Sequence, residues 1–298
     1  MFFKCNKLTT KSEEIVFSML IFVFVIPYLW IMMNPKKGIL PRNMSTYKLN
    51  KQIFILAGQS NMAGQGGVSY SYWDGIVPAD CKSNENILRV NVGLHWEIAK
   101  EPLNYGVDCL RNCGIGPGMA FANAILNKDP NFGVIGLVPC SVSGKGIHYW
   151  SRGNIPYDQL LKKVKFSLKD GGQLRGLLWF HGESDTRTKF DATRYKSKFQ
   201  KFIQNLRTDL NFPHLPLLMV ILHVPSPWFK GKFVHIVRQA QIDVEVPNAV
   251  KVDANGLPLN PDGIHLTTAA QIRLANMLAD AFLSSNFTPP TKTQYHMI

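Results

Sequence analysis

Apolar residues along this chain fall into a few short unbroken runs, separated by longer segments in which they recur every three to four positions. The runs "QIFILAG", "FGVIGLVPC", "LRGLLWF" and "PLLMVILHV" show no polar alternation and end at turn residues, which predicts strands buried on both faces. Helical spacing predicts helices at 117–129, where Pro117 suits a first turn, and at about 157–169, 191–210 and 267–283, with a further helix in "VRQAQIDVEV". "ILRV" and "AVKVD" read as short extra strands. The rest of 64–116 is rich in Gly, Asn and Ser and reads as loop. Strands alternating with helices predict βαβ units, hence an α/β fold around a mainly parallel sheet. In such sheets ligands bind where loops leave the carboxyl ends of the strands. The polar clusters "GQSN", "SVSGKG" and "HGESD" each follow a strand, so they are expected to meet at one rim.

The N-terminus has a different pattern. Ile15 to Met33 is 19 residues without a charge and without a polar stripe, long enough to cross a bilayer as a helix. An uncleaved transmembrane anchor is favoured over a cleaved signal peptide, because "LWIMMNPKKG" offers no small-residue cleavage site. A buried helix is the third reading. The expected organisation is a tail at 1–14, an anchor at 15–33, a Pro/Gly-containing stalk at 34–50, a folded domain at 51–285 and a tail at 286–298. Lysine and arginine flank the span on both sides, so charge does not orient it. A single span ahead of a large domain usually leaves that domain lumenal or extracellular. If the segment is cleaved, the domain is secreted.

Composition adds little to this. An apolar content of 46% supplies a core, and 18% charged residues argue against general disorder. The net charge of +13 sits largely in "LKKVKFSLKD" and "RYKSKFQKFIQNLR", where helical apolar spacing makes the lysines solvated faces. No nucleic-acid motif is present, so no nucleic-acid partner is expected. Cys81, Cys109, Cys113 and Cys140 fit one or two disulfides in a lumenal domain or buried thiols. Their spacing is poor for zinc, and neither a metal nor another cofactor is expected.

Two segments carry candidate chemistry. Ser60 follows Gly58 at the end of a strand. A tight turn there can expose a hydroxyl and aim its own N–H at a developing oxyanion, although Gly58 and Ser60 could equally serve only to end the strand. In "NPDGIHLTTAAQ", Asp262 and His265 stand three apart before an amphipathic helix with Thr267 or Thr268 as its cap. That spacing lets the carboxylate hold Nδ1–H and leaves Nε2 for Ser60, against the plainer reading of a turn residue and a packed ring. Ser143, Gly144 and Gly146 offer backbone N–H groups, and His181 a side-chain donor, for an oxyanion site built from Ser60, Gly144 and His181. Glu183 and Asp185 suggest paired glycosidase carboxylates, but they read better as acids that tie loops together.

Five blocks, "GQSNMAGQGG", "GPGMAFA", "GLVPCSVSGKGIHYW", "WFHGESDT" and "DGIHLTTAAQ", occur in an order that resembles the SGNH-type carbohydrate esterases of the sialate O-acetylesterase-like group. Within that group the chain is similar to the plant probable carbohydrate esterases, over roughly residues 50 to 285. The resemblance implies a flavodoxin-like three-layer α/β/α fold and metal-free deacetylation of an acetylated carbohydrate. Carried over by position, Ser60 is the nucleophile, His265 the general base and Asp262 its orienting carboxylate. The chain departs from the group's usual pattern at His181, where the group has Gln, and at Ser143-Gly144, where it has Gly-Gly. Those departures point to reduced or altered activity, so a catalytically weak glycan-binding or scaffold protein stays open. Since fold alone does not fix the substrate, an esterase for a non-carbohydrate acyl ester stays open too.

Overall fold

Residues 51–108, 113–169, 171–223 and 231–288 are described by a computed structural model of the chain. The apolar stretch 15–33, the stalk 34–50, Cys109 and the last ten residues lie outside the described residues. Among the described residues no helix is long and apolar enough to cross a membrane.

The elements are β1 (Gln52–Gly58), α1 (Ser60–Ala63), β2 (Val68–Ser69), β3 (Tyr72–Trp73), β4 (Ile87–Val90), β5 (Trp96–Ile98), α2 (Pro117–Lys128), β6 (Ile135–Pro139), α3 (Ile155–Leu168), β7 (Gln173–Phe180), α4 (Lys189–Asp209), β8 (Leu217–Ile221), α5 (Val234–Ile242), β9 (Ala249–Asp253) and α6 (Thr268–Ser284). Seven strands form one sheet in the order β5-β4-β6-β1-β7-β8-β9. All its pairs are parallel except β4–β5. β2 and β3 form a separate antiparallel hairpin.

The unbroken apolar runs sit where such runs are stable, in the middle of a sheet covered on both faces. Phe54 of β1 pairs with Gly176 of β7, where a Cβ would stand 3.3 Å from Leu218 Cδ1 on the neighbouring strand. Phe54 packs edge-on against Phe121 of α2 and Phe282 of α6. Trp179 is three positions from Gly176 and so points to the opposite face. There it meets Trp150 and, on α4, Phe199 and Phe202. Each face of β1 and β7 therefore has its own aromatic cluster beneath helices.

Helix ends follow local chemistry. Pro117 opens α2, where a missing N–H costs nothing. Thr188 and Thr267 cap α4 and α6 by accepting from Asp191 N and Ala270 N. Two features differ from the sequence reading of 64–116 as loop, namely β5 and the β2–β3 hairpin. Both are too short to carry a periodic signal, and cross-strand pairing alone defines them.

Candidate active site

The carboxyl ends of β1, β6 and β7 lie side by side, and the loop after β9 closes over them. Gly58 ends β1 with φ +144, and a Cβ there would stand 2.0 Å from Phe180 O. Only glycine lets the two strand ends approach closely enough for Gln59 N to donate to Phe180 O at 2.9 Å. That contact turns the chain and sets Ser60 at the first position of α1. Its N–H there has no intrahelical acceptor.

The Ser60 hydroxyl lies 2.7 Å from His265 Nε2, across 205 residues of chain. His265 Nδ1 lies 2.6 Å from Asp262 Oδ2. The other carboxylate oxygen, Oδ1, accepts from the backbone N–H of Ile264 and of His265, each at 3.0 Å. Partial burial would raise the Asp262 pKa. The hydrogen bonds from the His265 ring and the two amides outweigh it and hold the carboxyl at about 2. Because an ionised carboxylate only accepts, Nδ1 bears the proton and Nε2 is left to accept from Ser60 Oγ–H.

The loop after β6 is pinned along its length. Val142 N donates to Gly58 O at 3.0 Å, Ser143 N to Asp108 Oδ2 at 2.8 Å, and Ile147 N to Asp185 Oδ1 at 2.9 Å. Gly144 lies between these anchors with φ +71 and open space on its Cβ side. Gly146 cannot hold a side chain freely, because a Cβ would stand 3.0 Å from Asp185 Oδ1.

The expectation of a side-chain donor from His181 is not met. Its ring is fully buried, with Nε2 donating to Lys145 O at 2.9 Å and Nδ1 3.3 Å from Tyr195 Oη. Burial pushes its pKa down to about 3, so it is neutral. Both ring nitrogens are committed, and His181 supports the loop after β6 from behind. The ring also stacks on Trp179 and Tyr195, with centroids 4.8 and 5.8 Å away.

Glu183 and Asp185 tie loops, as the sequence suggested. Asn61 Nδ2 donates to Glu183 Oε1 at 2.7 Å and to Ile264 O at 3.3 Å, while Asn61 Oδ1 accepts from Leu266 N at 2.9 Å. This one buried amide thus joins the serine turn, the loop after β7 and the histidine loop. Burial raises the Glu183 pKa and pushes Asp185 up to about 7.

Three supporting residues had no assigned role in the sequence. Gln59 accepts from Gly182 N at 2.8 Å and donates to Ser184 Oγ at 2.5 Å. Asn61 acts as described. His223, buried and lowered to about 4, hydrogen-bonds the backbone at Ile264, next to His265. The two amides flanking Ser60 were visible as a pattern, but their partners lie more than a hundred residues away.

Buried thiols make poor nucleophiles here. Desolvation pushes Cys81 up to about 12 and Cys140 to about 11. Among the described residues, no three His, Cys, Asp or Glu side chains converge on a metal-sized site.

Residues 50–284 match the family model described as carbohydrate esterase, sialic acid-specific acetylesterase. The probable carbohydrate esterase At4g34215 of Arabidopsis thaliana is 45% identical over 241 residues, covering 78% of this chain and 91% of the relative. Its X-ray structure superposes with a TM-score of 0.76, over 80% of this chain and 100% of that one. The crystal structure of NanS matches at 16% identity with a TM-score of 0.62, over 78% of this chain and 97% of its own. XAC1771, a carbohydrate acetylesterase from Xanthomonas citri, matches at 19% identity with a TM-score of 0.56, over 76% and 55%. The last two similarities establish a shared fold.

Proposed function

Because this chain belongs to the carbohydrate esterase, sialic acid-specific acetylesterase family, and is a carboxylic ester hydrolase by that membership, we propose that it removes O-acetyl groups from carbohydrate through an acyl-enzyme on Ser60. The observation that carries this reading is the continuous chain from Ser60 Oγ through His265 to the ionised Asp262, with contacts of 2.7 and 2.6 Å.

Ser60 Oγ attacks the acetyl carbonyl as His265 Nε2 takes its proton, and Asp262 steadies the imidazolium that forms. The oxyanion is bound by the N–H groups of Ser60 and Gly144. Collapse expels the sugar hydroxyl, which leaves with the proton from His265. Water, deprotonated by the same ring, then hydrolyses the acetyl-serine and releases acetate. Ser60→Ala is expected to abolish hydrolysis of p-nitrophenyl acetate and acetate release from acetylated polysaccharide. Unchanged turnover would refute the assignment.

The 19 uncharged residues from Ile15 to Met33 support a second part of the proposal. They anchor the esterase domain to a membrane, on its lumenal or extracellular side.

A further inference from the structure

Among the described residues the hairpin formed by β2 and β3 carries the most exposed aromatic side chains, and the triad does not use them. It springs from the serine's own segment and is fixed at its base on two sides. Gly66 and Ile115 exchange backbone hydrogen bonds at 2.9 Å, and Gly114 N donates to Gly64 O at 3.1 Å. On the other side Asn260 Nδ2 donates to Gln65 O at 2.9 Å, and a Cβ on Gly66 would stand 2.9 Å from Thr268 Cα. Asn260 and Thr268 bracket Asp262 and His265 in the chain, so the base of the hairpin adjoins the triad loop.

Its side chains divide by strand alternation. Trp73 turns inward, half-buried against the core and close over Gly114. Tyr72 turns outward and is 76% exposed, and Tyr70 at the tip is 95% exposed. The turn itself is unusual. Tyr70 and Ser71 both have positive φ, +46 and +66, in a two-residue connection that favours Asn and Gly. A bulky ring in that region is strained, and a ring exposed this far gains no packing in return. The chain thus holds an aromatic side chain in solvent at a position where Asn or Gly would fold more easily.

A ring of this kind offers a flat π-face. Pyranose sugars present a face of C–H groups, their hydroxyls lying around the edge, and such a face stacks on an aromatic ring while the hydroxyls stay hydrated. We propose that Tyr70 and Tyr72 form a stacking platform for the glycan beyond the acetylated residue, which makes the preferred substrate an oligo- or polysaccharide rather than an acetylated monosaccharide. This rests on the carbohydrate-esterase reading of the adjoining site.

The test compares the full chain with a Tyr70→Ala/Tyr72→Ala double variant on p-nitrophenyl acetate, an acetylated monosaccharide and acetylated xylan. The platform predicts unchanged kinetics on the two small esters and a KM on xylan raised about tenfold at constant kcat, the scale of two well-packed aromatic contacts. Trp at both positions should restore the wild-type KM. Equal losses on all three substrates, or an unchanged KM on xylan, would overturn the platform.

If the wild type cleaves p-nitrophenyl acetate but no acetylated carbohydrate, the carbohydrate reading itself fails. Titrating deacetylated xylo- and galacturono-oligosaccharides into the Ser60→Ala protein then decides the platform. Saturable binding lost in the double variant keeps it, and no binding overturns it. A companion variant, Tyr70→Asn/Ser71→Gly, should raise Tm by about 2–4 °C while weakening xylan binding. Unchanged binding there would also count against the platform.

Discussion

Both oxygens of Asp262 are engaged, one by the His265 ring and the other by two backbone N–H groups, so the carboxylate cannot turn without breaking three hydrogen bonds. Asp262→Asn keeps the shape but can present an amide N–H to Nδ1, which would move the ring proton to Nε2 and leave Ser60 without an acceptor. A kcat loss on the order of 10⁴-fold with little change in Tm is expected, read by steady-state kinetics and calorimetry. Loss of stability without loss of kcat would mean that Asp262 only closes the turn. Behind the site, Asp185 and His181 face one another at 3.8 Å and pull stability in opposite directions. Burial lifts Asp185 from its ordinary 3.8 to about 7, so the fold keeps a proton that the unfolded chain releases. Its contribution is complete at low pH and disappears as pH rises through 7. His181 falls from 6.5 to about 3, so the unfolded chain takes up a proton that the fold refuses, and its contribution disappears as pH falls toward 3. Between about pH 4 and 6.5 the two slopes oppose, each at most about 1.4 kcal/mol per pH unit. Asp185→Asn should therefore steepen the loss of stability on acidification, and His181→Gln should flatten it. Urea unfolding across that range reads both, and curves parallel to wild type would contradict the assignment.

At the scale of elements, the site depends on how strand ends are turned and tied. Gly58 allows β1 and β7 to meet at their carboxyl ends, and Asn61, in the four-residue α1, then joins three loops through one side chain. Asn61→Ala would strip Leu266 N and Glu183 Oε1 of partners in a buried site, where each unsatisfied group costs about 1–3 kcal/mol. A loss of about 3 kcal/mol in urea unfolding is expected, with kcat falling because the His265 loop loses its tie to the serine turn. A stable but inactive variant would instead assign Asn61 a direct part in the chemistry. Most elements were legible in the sequence. β1, β6, β7 and β8 are continuous apolar runs that only a doubly covered sheet accommodates, and α2, α3, α4 and α6 carry apolar stripes. β5 and the hairpin were not legible, because two or three residues have no period to read. What makes them strands is the neighbour across from them.

Across the whole molecule, every residue assigned to the reaction and its hydrogen-bond partners fall within residues 51–288. The proposed anchor at 15–33 lies outside that span. A chain lacking residues 1–50 is expected to keep p-nitrophenyl acetate turnover within about twofold, as a domain with its own core should. It should also move from the alkali-resistant membrane pellet into the supernatant on fractionation. A full-length chain found in the supernatant would overturn the anchor. The sequence by itself determined the α/β class, the strands that end in polar loops, the serine, and the Asp262–His265 pair. Those depend on local periodicity and on spacing within a single turn, both of which a linear pattern records. Only the tertiary structure decided that Ser60 and His265 touch across 205 residues, that His181 turns into the core, and that Asn61 and His223 hold the histidine loop. Such contacts follow from the order of strands in the sheet and from which buried polar group finds which partner, and neither is encoded by any one stretch of chain.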